Sequence, residues 1–135
     1  MKIEGGCHCG YIAYEAEVDP DKVRICHCTD CQTLSGSAFR TVAFTAPGSF
    51  KLRSGELTIY VKTAESGNKR QQSFCPECGT PIFSTSPDDA PDKVHSLRVG
   101  SIRQRDMLIP KRQSWVRSSQ RWLGGMPALP GSERG

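Results

Sequence analysis

The sequence contains no long apolar segment. No stretch approaches the roughly 20 apolar residues that cross a membrane, and the N-terminal residues Met1-Lys2-Ile3-Glu4-Gly5-Gly6 lack the apolar run of a secretory signal. These absences predict a soluble, cytoplasmic protein whose thiols stay reduced. Helical periodicity is also scarce, because no segment sustains three turns of it. The short segments of alternating polarity instead predict an all-β fold.

No acidic or basic block stands out in the charge pattern. The net charge is +4 across 135 residues, a length that predicts one domain. We place that domain at residues 1–123. The composition from Gly124 onward, rich in Gly, Pro, Ser, Glu and Arg, predicts a poorly structured tail over residues 124–135. The late basic residues alternate with apolar ones and are interpreted as a solvated face, with an anion-binding surface as the alternative. Nucleic acid is therefore not an expected partner.

No cysteine lies outside three short clusters. The seven cysteines fall in Cys7-His8-Cys9-Gly10, in Cys26-His27-Cys28-Thr29-Asp30-Cys31 and in Cys75-Pro76-Glu77-Cys78-Gly79. An odd number of cysteines, several of them adjacent but one, argues against a disulfide framework. Thiolates at such spacings converge on a tetrahedral soft cation, for which zinc is the usual choice. Seven thiolates with two zinc ions would also lower the net charge by three, to about +1.

The count of seven separates into a closed and an open zinc site. A structural site takes four ligands, whereas a catalytic site takes three and keeps one position free. The turn Cys75-Pro76-Glu77-Cys78-Gly79 is typical of a zinc knuckle, which supplies two ligands. A four-ligand site therefore needs two more cysteines, and Cys7 and Cys9 form a pair that could supply them. The remaining cysteines are Cys26, Cys28 and Cys31. A second closed site that uses His27 or His8 is the alternative, and spacing alone does not fix how the pairs combine.

Local patterns predict several elements around these clusters. Residues Thr29 to Ser35 suit one or two helical turns, with Thr29 as a cap and Gly36 as the stop. Tyr14, Ala16 and Val18 share one face of a half-buried strand, and Leu57, Ile59 and Val61 share one face of another. Ser66-Gly67-Asn68 predicts a hairpin turn. The last strand is expected at 114–117, and His95 is expected to pack or hydrogen-bond within a strand. Trp115 and Trp122 are expected to pack over the core, with the lining of a substrate cleft as the alternative.

The pattern resembles the glutathione-dependent formaldehyde-activating (GFA) family. The matching residues are Gly5-Gly6-Cys7-His8-Cys9-Gly10, the central cluster Cys26–Cys31 followed by Ser35-Gly36, and Phe74-Cys75-Pro76-Glu77-Cys78-Gly79-Thr80. The resemblance implies a β-tent fold of coiled antiparallel sheets. It implies two Zn²⁺ ions per chain, a structural one at Cys7, Cys9, Cys75 and Cys78 and a catalytic one at Cys26, Cys28 and Cys31. The three-ligand site is expected to lose its ion more easily.

The activity that the resemblance implies is that of a carbon–sulfur lyase. It combines glutathione with formaldehyde reversibly to give S-hydroxymethylglutathione, with His27, Asp30 or water as the proton donor. The expected partners are therefore a small thiol and an aldehyde, with no membrane and with no prediction of oligomeric state. The alternative function is a non-catalytic, zinc-stabilised binding module for protein or nucleic acid. A hydrolase that uses a metal-activated water is a third possibility.

Overall fold

Ten short strands and one α-helix make up the computed structural model, which describes residues 1–135. The helix α1 spans Thr29–Ser35. The strands are β1 Lys2–Gly6, β2 Ala13–Glu17, β3 Arg24–Cys26, β4 Arg40–Phe44, β5 Lys51–Ser54, β6 Thr58–Thr63, β7 Lys69–Phe74, β8 Pro81–Thr85, β9 Ser96–Arg98 and β10 Arg112–Ser114. The prediction of an all-β fold with a helical turn at the central cluster is confirmed. No helix has the length and apolar character needed to cross a membrane.

The strands form two sheets. The smaller sheet has the order β1-β2-β5, and the larger has the order β10-β3-β4-β9-β8-β7-β6. Every neighbouring pair is antiparallel except β10 and β3, which run parallel. Isolated bridges from Gly5 to Ile102 and from Val18 to Thr45 join the small sheet to the rest of the chain. The β-tent expectation therefore holds, with one parallel pair that the strand patterns did not predict.

The hydrophobic core lies between the two sheets. Tyr14 and Ala16 of β2 are buried at alternate positions, as the sequence predicted for this strand. Ala43, Leu97 and Phe83 supply the facing side of the larger sheet, where their strands pair directly. Residues two apart in a strand share a face, so the alternation alone decides which side of each strand is covered.

The opposite face of the larger sheet is polar but still largely buried. Strand register places Arg40 across from Cys26, Val42 across from Arg98, and Gln72 across from Ser84. Directly paired residues project to the same side of a sheet. Two arginines of neighbouring strands and the last cysteine of β3 therefore share this face.

A salt bridge connects the helix to the far edge of the larger sheet. Lys62 Nζ of β6 lies 2.8 Å from Asp30 Oδ2 in the first turn of α1. Helix α1 directly follows β3, near one edge of the sheet, whereas β6 is the opposite edge strand. The sheet therefore curls so that α1 and β6 meet over the polar face.

Several apolar side chains expected to be covered are exposed. Ile59 and Val61 share a face of β6 but are 52% and 45% exposed, because β6 is an edge strand with a partner on one side only. Trp115 and Trp122 are also about half exposed, so the expectation that they pack over the core is wrong. The final strand is β10, and it ends before Trp115, whose φ of 55° turns the chain away from the strand.

The C-terminal segment continues in helical turns. A 3₁₀ helix runs over Arg121–Ala128 and contains no buried residue. This helix crosses the predicted boundary between residues 1–123 and the tail, so the boundary itself stays a prediction.

Stability should fall with acid through His95. The ring of His95 stacks on Phe50 and meets Phe83 edge to face, each at 4.7 Å, so it packs as expected. Burial, with smaller contributions from Lys93 and Arg70, lowers its pKa from 6.5 to about 4. The unfolded chain therefore binds an extra proton between these values. The contribution of His95 to stability is complete above pH 6.5 and decreases as pH falls toward 4.

Urea unfolding at both pH values tests this expectation. The variant His95→Gln should lose that part of the pH dependence. An unchanged difference between pH 7 and pH 5 in the variant would refute the role of His95.

Candidate metal centres

Four cysteines from two distant turns converge at one point, which we call the quartet. Cys7 and Cys9 lie in the β1–β2 connection, and Cys75 and Cys78 lie in the β7–β8 connection. Their four Sγ atoms all lie within 4.8 Å of one another. The Sγ atoms of Cys7 and Cys9 are 3.5 Å apart, and those of Cys9 and Cys75 are 3.8 Å apart. Because the first pair belongs to the small sheet and the second to the large one, the quartet bridges the two sheets.

The two turns point donors at the sulfurs. The amide of Ile12 donates to Cys7 Sγ at 3.1 Å, and that of Glu77 to Cys75 Sγ at 3.4 Å. Gly79 follows the second pair at φ 75°, a left-handed conformation that side chains rarely adopt. The Thr80 hydroxyl lies 3.1 Å from Cys78 Sγ and is the main cause that lowers the pKa of Cys78 to about 5. Such donors stabilise sulfur in its ionised, metal-binding form.

Three further cysteines form a second cluster, the trio of Cys26, Cys28 and Cys31. Cys26 ends β3, Cys28 precedes α1, and Cys31 lies in the first turn of that helix. Their Sγ atoms also lie within 4.8 Å of one another. Cys28, and not Thr29, caps the helix, since its Sγ accepts the amide of Cys31 at 3.2 Å. The stop at Gly36 is confirmed, with a φ of 63°.

The donor chemistry of both clusters fits a soft divalent cation. All seven cysteines are free. In the trio, hydrogen bonding with Cys31 is the main cause that lowers the pKa of Cys26 to about 4, and the same contact raises the pKa of Cys31. Thiols this close share protons because three neighbouring thiolates repel one another without a cation. The quartet and the trio could therefore each hold zinc, and the seven cysteines converge in these two groups.

Neither histidine near the clusters joins them. His27 Nε2 lies 2.7 Å from Gln113 Oε1, and its ring meets Phe39 edge to face. The His27 side chain is 2% exposed and lies outside the group of converging ligand atoms, as does His8. No histidine therefore joins the three converging sulfurs of the trio.

One glutamine that the sequence did not single out holds α1 in place. Gln32 Nε2 donates to the carbonyl of His27 at 2.8 Å and to that of Ser118 at 3.0 Å. Its Oε1 accepts from Gln120 Nε2 at 2.7 Å. These bonds tie the helix that carries Cys31 to the C-terminal segment, a long-range contact with no local sequence signal.

A cavity of about 390 Å³ opens on the polar face, between the helix α1 that follows the trio and the β7–β8 turn of the quartet. Leu34 of α1 lines it, together with Arg40, the neighbour of Cys26 across the sheet. Burial, together with the nearby Arg40, lowers the pKa of Arg98 to about 9, while Cys31 and Cys26 act in the opposite direction. Arg98 therefore lies within electrostatic range of the trio. No cysteine lines this cavity itself, nor the two larger depressions of about 520 and 830 Å³.

The chain is similar to a known protein family and to a solved structure. The family described as "Glutathione-dependent formaldehyde-activating enzyme" matches residues 2–118. A crystal structure of a Rhodobacter sphaeroides protein is similar over 84% of this chain and 100% of that one, with 21% identity and a TM-score of 0.61, which shows a shared fold. The family match covers both cysteine clusters and most of the described fold. The chain belongs to the glutathione-dependent formaldehyde-activating enzyme family.

Proposed function

We propose that the protein is a zinc-dependent carbon–sulfur lyase that combines a small thiol with an aldehyde. Glutathione and formaldehyde, which give S-hydroxymethylglutathione, are the substrates that the family description favours. The observation that carries the proposal is the trio: three sulfurs within 4.8 Å, no histidine among them, and a cavity beside them. We place the activity in the cytoplasm and in one domain of residues 1–123, with residues 124–135 as a tail.

The two clusters are assigned different tasks. Cys7, Cys9, Cys75 and Cys78 would hold a structural zinc, because four thiolates complete its tetrahedron. Cys26, Cys28 and Cys31 would hold the catalytic one. Zinc bound by three thiolates keeps one position for an exchangeable ligand and lowers the pKa of a thiol that binds there.

The reaction requires one bond and one proton transfer. The substrate sulfur bonds to the aldehyde carbon, the carbonyl electron pair moves to oxygen, and this oxygen takes up the proton that the thiol gives up. Leu34, Tyr60 and Phe74 line the cavity and would exclude bulk water from the reacting groups. His27 bonds Gln113 and Asp30 pairs with Lys62. We therefore favour water as the proton donor over either side chain.

Cobalt substitution tests the proposal. Glutathione added to the cobalt-loaded protein should change the visible absorption of the three-cysteine site, because a thiolate joins the metal as its fourth ligand. S-methylglutathione, which has no free thiol, is the matched control and should leave the spectrum unchanged. Exchange of formaldehyde with glutathione, followed by NMR, should be accelerated by the zinc-loaded protein.

The binding-module alternative predicts the opposite set of results. A cobalt spectrum indifferent to thiols and aldehydes, with retardation of nucleic acid at moderate salt, would overturn the enzyme proposal.

A further inference from the structure

Two buried arginines on the polar face lack an acidic partner. Arg40 is 6% exposed and Arg98 is 8% exposed. Both donate to the same neutral atom, Gln72 Oε1, at 3.3 and 2.6 Å. The four ion pairs of the structure involve other residues. Two buried guanidinium groups on one uncharged oxygen are costly unless an anion joins them.

The arginines present unused donors to a cavity. Both line the cavity of about 390 Å³ beside the trio, and Arg98 Nε is buried with no hydrogen-bond partner. A guanidinium offers five N–H donors in a planar fork that matches a carboxylate. The volume falls within the range of small-molecule sites.

The trio alone does not neutralise this pair. Three thiolates with one divalent cation carry a single negative charge, whereas Arg40 and Arg98 carry two positive ones. Arg70, which is also partly buried, adds a third cation near Ser84, with its Nη2 3.5 Å from Ser84 Oγ. The local charge therefore stays positive with the metal in place, which leaves room for a further anion.

We propose that Arg40 and Arg98 form a carboxylate subsite, so that the substrate is a thiol that carries a carboxylate a few bonds from its sulfur. This inference rests on the proposed function for the thiol, but the anion subsite itself does not. Arg40 lies directly across the sheet from Cys26, so a molecule with its sulfur at the trio would place its acidic end between the guanidiniums. The wall of Leu34, Tyr60 and Phe74 fits the intervening carbon chain.

A matched pair of thiols tests the subsite. The cobalt-loaded protein is titrated with 3-mercaptopropionate and with its amide, which differ only in charge. The wild-type protein should bind the acid about 10- to 100-fold more tightly, as expected for a charge-assisted hydrogen bond. The variant Arg98→Met should lose this preference while its affinity for the amide is unchanged. Arg103→Gln, a surface control, should keep it.

The melting temperature of the ligand-free Arg98→Met variant distinguishes a binding arginine from a structural one. Removing one of two like charges should leave the melting temperature of Arg98→Met equal to or above that of the wild-type protein. A lower melting temperature with loss of zinc would mean that Arg98 supports the trio instead, and would overturn the subsite.

A thiol-free probe separates the two proposals. Propionate, compared with propionamide, should shift the side-chain Nε–H NMR signal of Arg98. If neither thiol binds but propionate shifts this signal, the subsite stands and the proposed function fails. If both thiols bind equally and propionate has no effect, the proposed function stands and the subsite is refuted.

Discussion

Replacing Cys78 by serine is expected to unfold or aggregate the protein. The quartet joins the β1–β2 turn to the β7–β8 turn and so bridges the two sheets. Structural zinc supplies folding free energy directly, with apparent values of about 10–16 kcal/mol in small zinc domains, against a total stability of about 5–15 kcal/mol for an ordinary domain. Cys78 itself is exposed, so lost packing would not account for such an effect. Urea unfolding and zinc content measure it.

A neighbour in the same turn provides the control. Glu77→Gln changes an exposed side chain that is not a ligand and should alter stability by less than about 0.5 kcal/mol. A soluble Cys78→Ser protein that keeps two zinc ions and the wild-type unfolding midpoint would rule out a structural quartet.

Replacing Cys31 by serine should instead give a folded protein with one zinc ion and no thiol response. The trio lies within six consecutive residues, so its metal closes only a short loop and contributes less to the fold. The surrounding helix keeps its other anchors, the Gln32 bonds to backbone carbonyls and the Asp30–Lys62 pair. Activity should fall at least about 100-fold, because even changes behind the ligands cost 10- to 100-fold.

Metal content and circular dichroism of this variant are measured together. Thr29→Ala, which changes an exposed residue of the same helical turn, should retain both ions. Global unfolding of Cys31→Ser would show that the trio is structural as well.

Local sequence signals predicted the parts of the site that depend on short spacing. The turn of Cys75 to Gly79, the helix that ends at Gly36 and the trio are each encoded within a few residues. The pairing of Cys7 and Cys9 with Cys75 and Cys78 is long-range. It could still be predicted, because a closed zinc site needs four ligands and the turn at Cys75 supplies only two. The seven cysteines therefore converge in the two groups expected for them, while their roles as ligands stay a prediction.

The missed features depend on strand order and register. Arg40, Gln72 and Arg98 are far apart in sequence and meet only because β4, β9, β8 and β7 lie side by side. The exposure of Ile59 follows from the edge position of β6, which periodicity does not encode. No strand was predicted over β1, where Gly5 is required: a Cβ would lie 2.7 Å from the Ser101 carbonyl oxygen.

A crystal structure of the zinc-loaded protein, with anomalous data at the zinc edge, tests the central claim most directly. We expect one ion bound by Cys7, Cys9, Cys75 and Cys78. We expect a second ion bound by Cys26, Cys28 and Cys31, with a fourth ligand that does not come from the chain. Disulfide bonds in place of the ions, or a protein side chain as the fourth ligand of the second ion, would contradict the account.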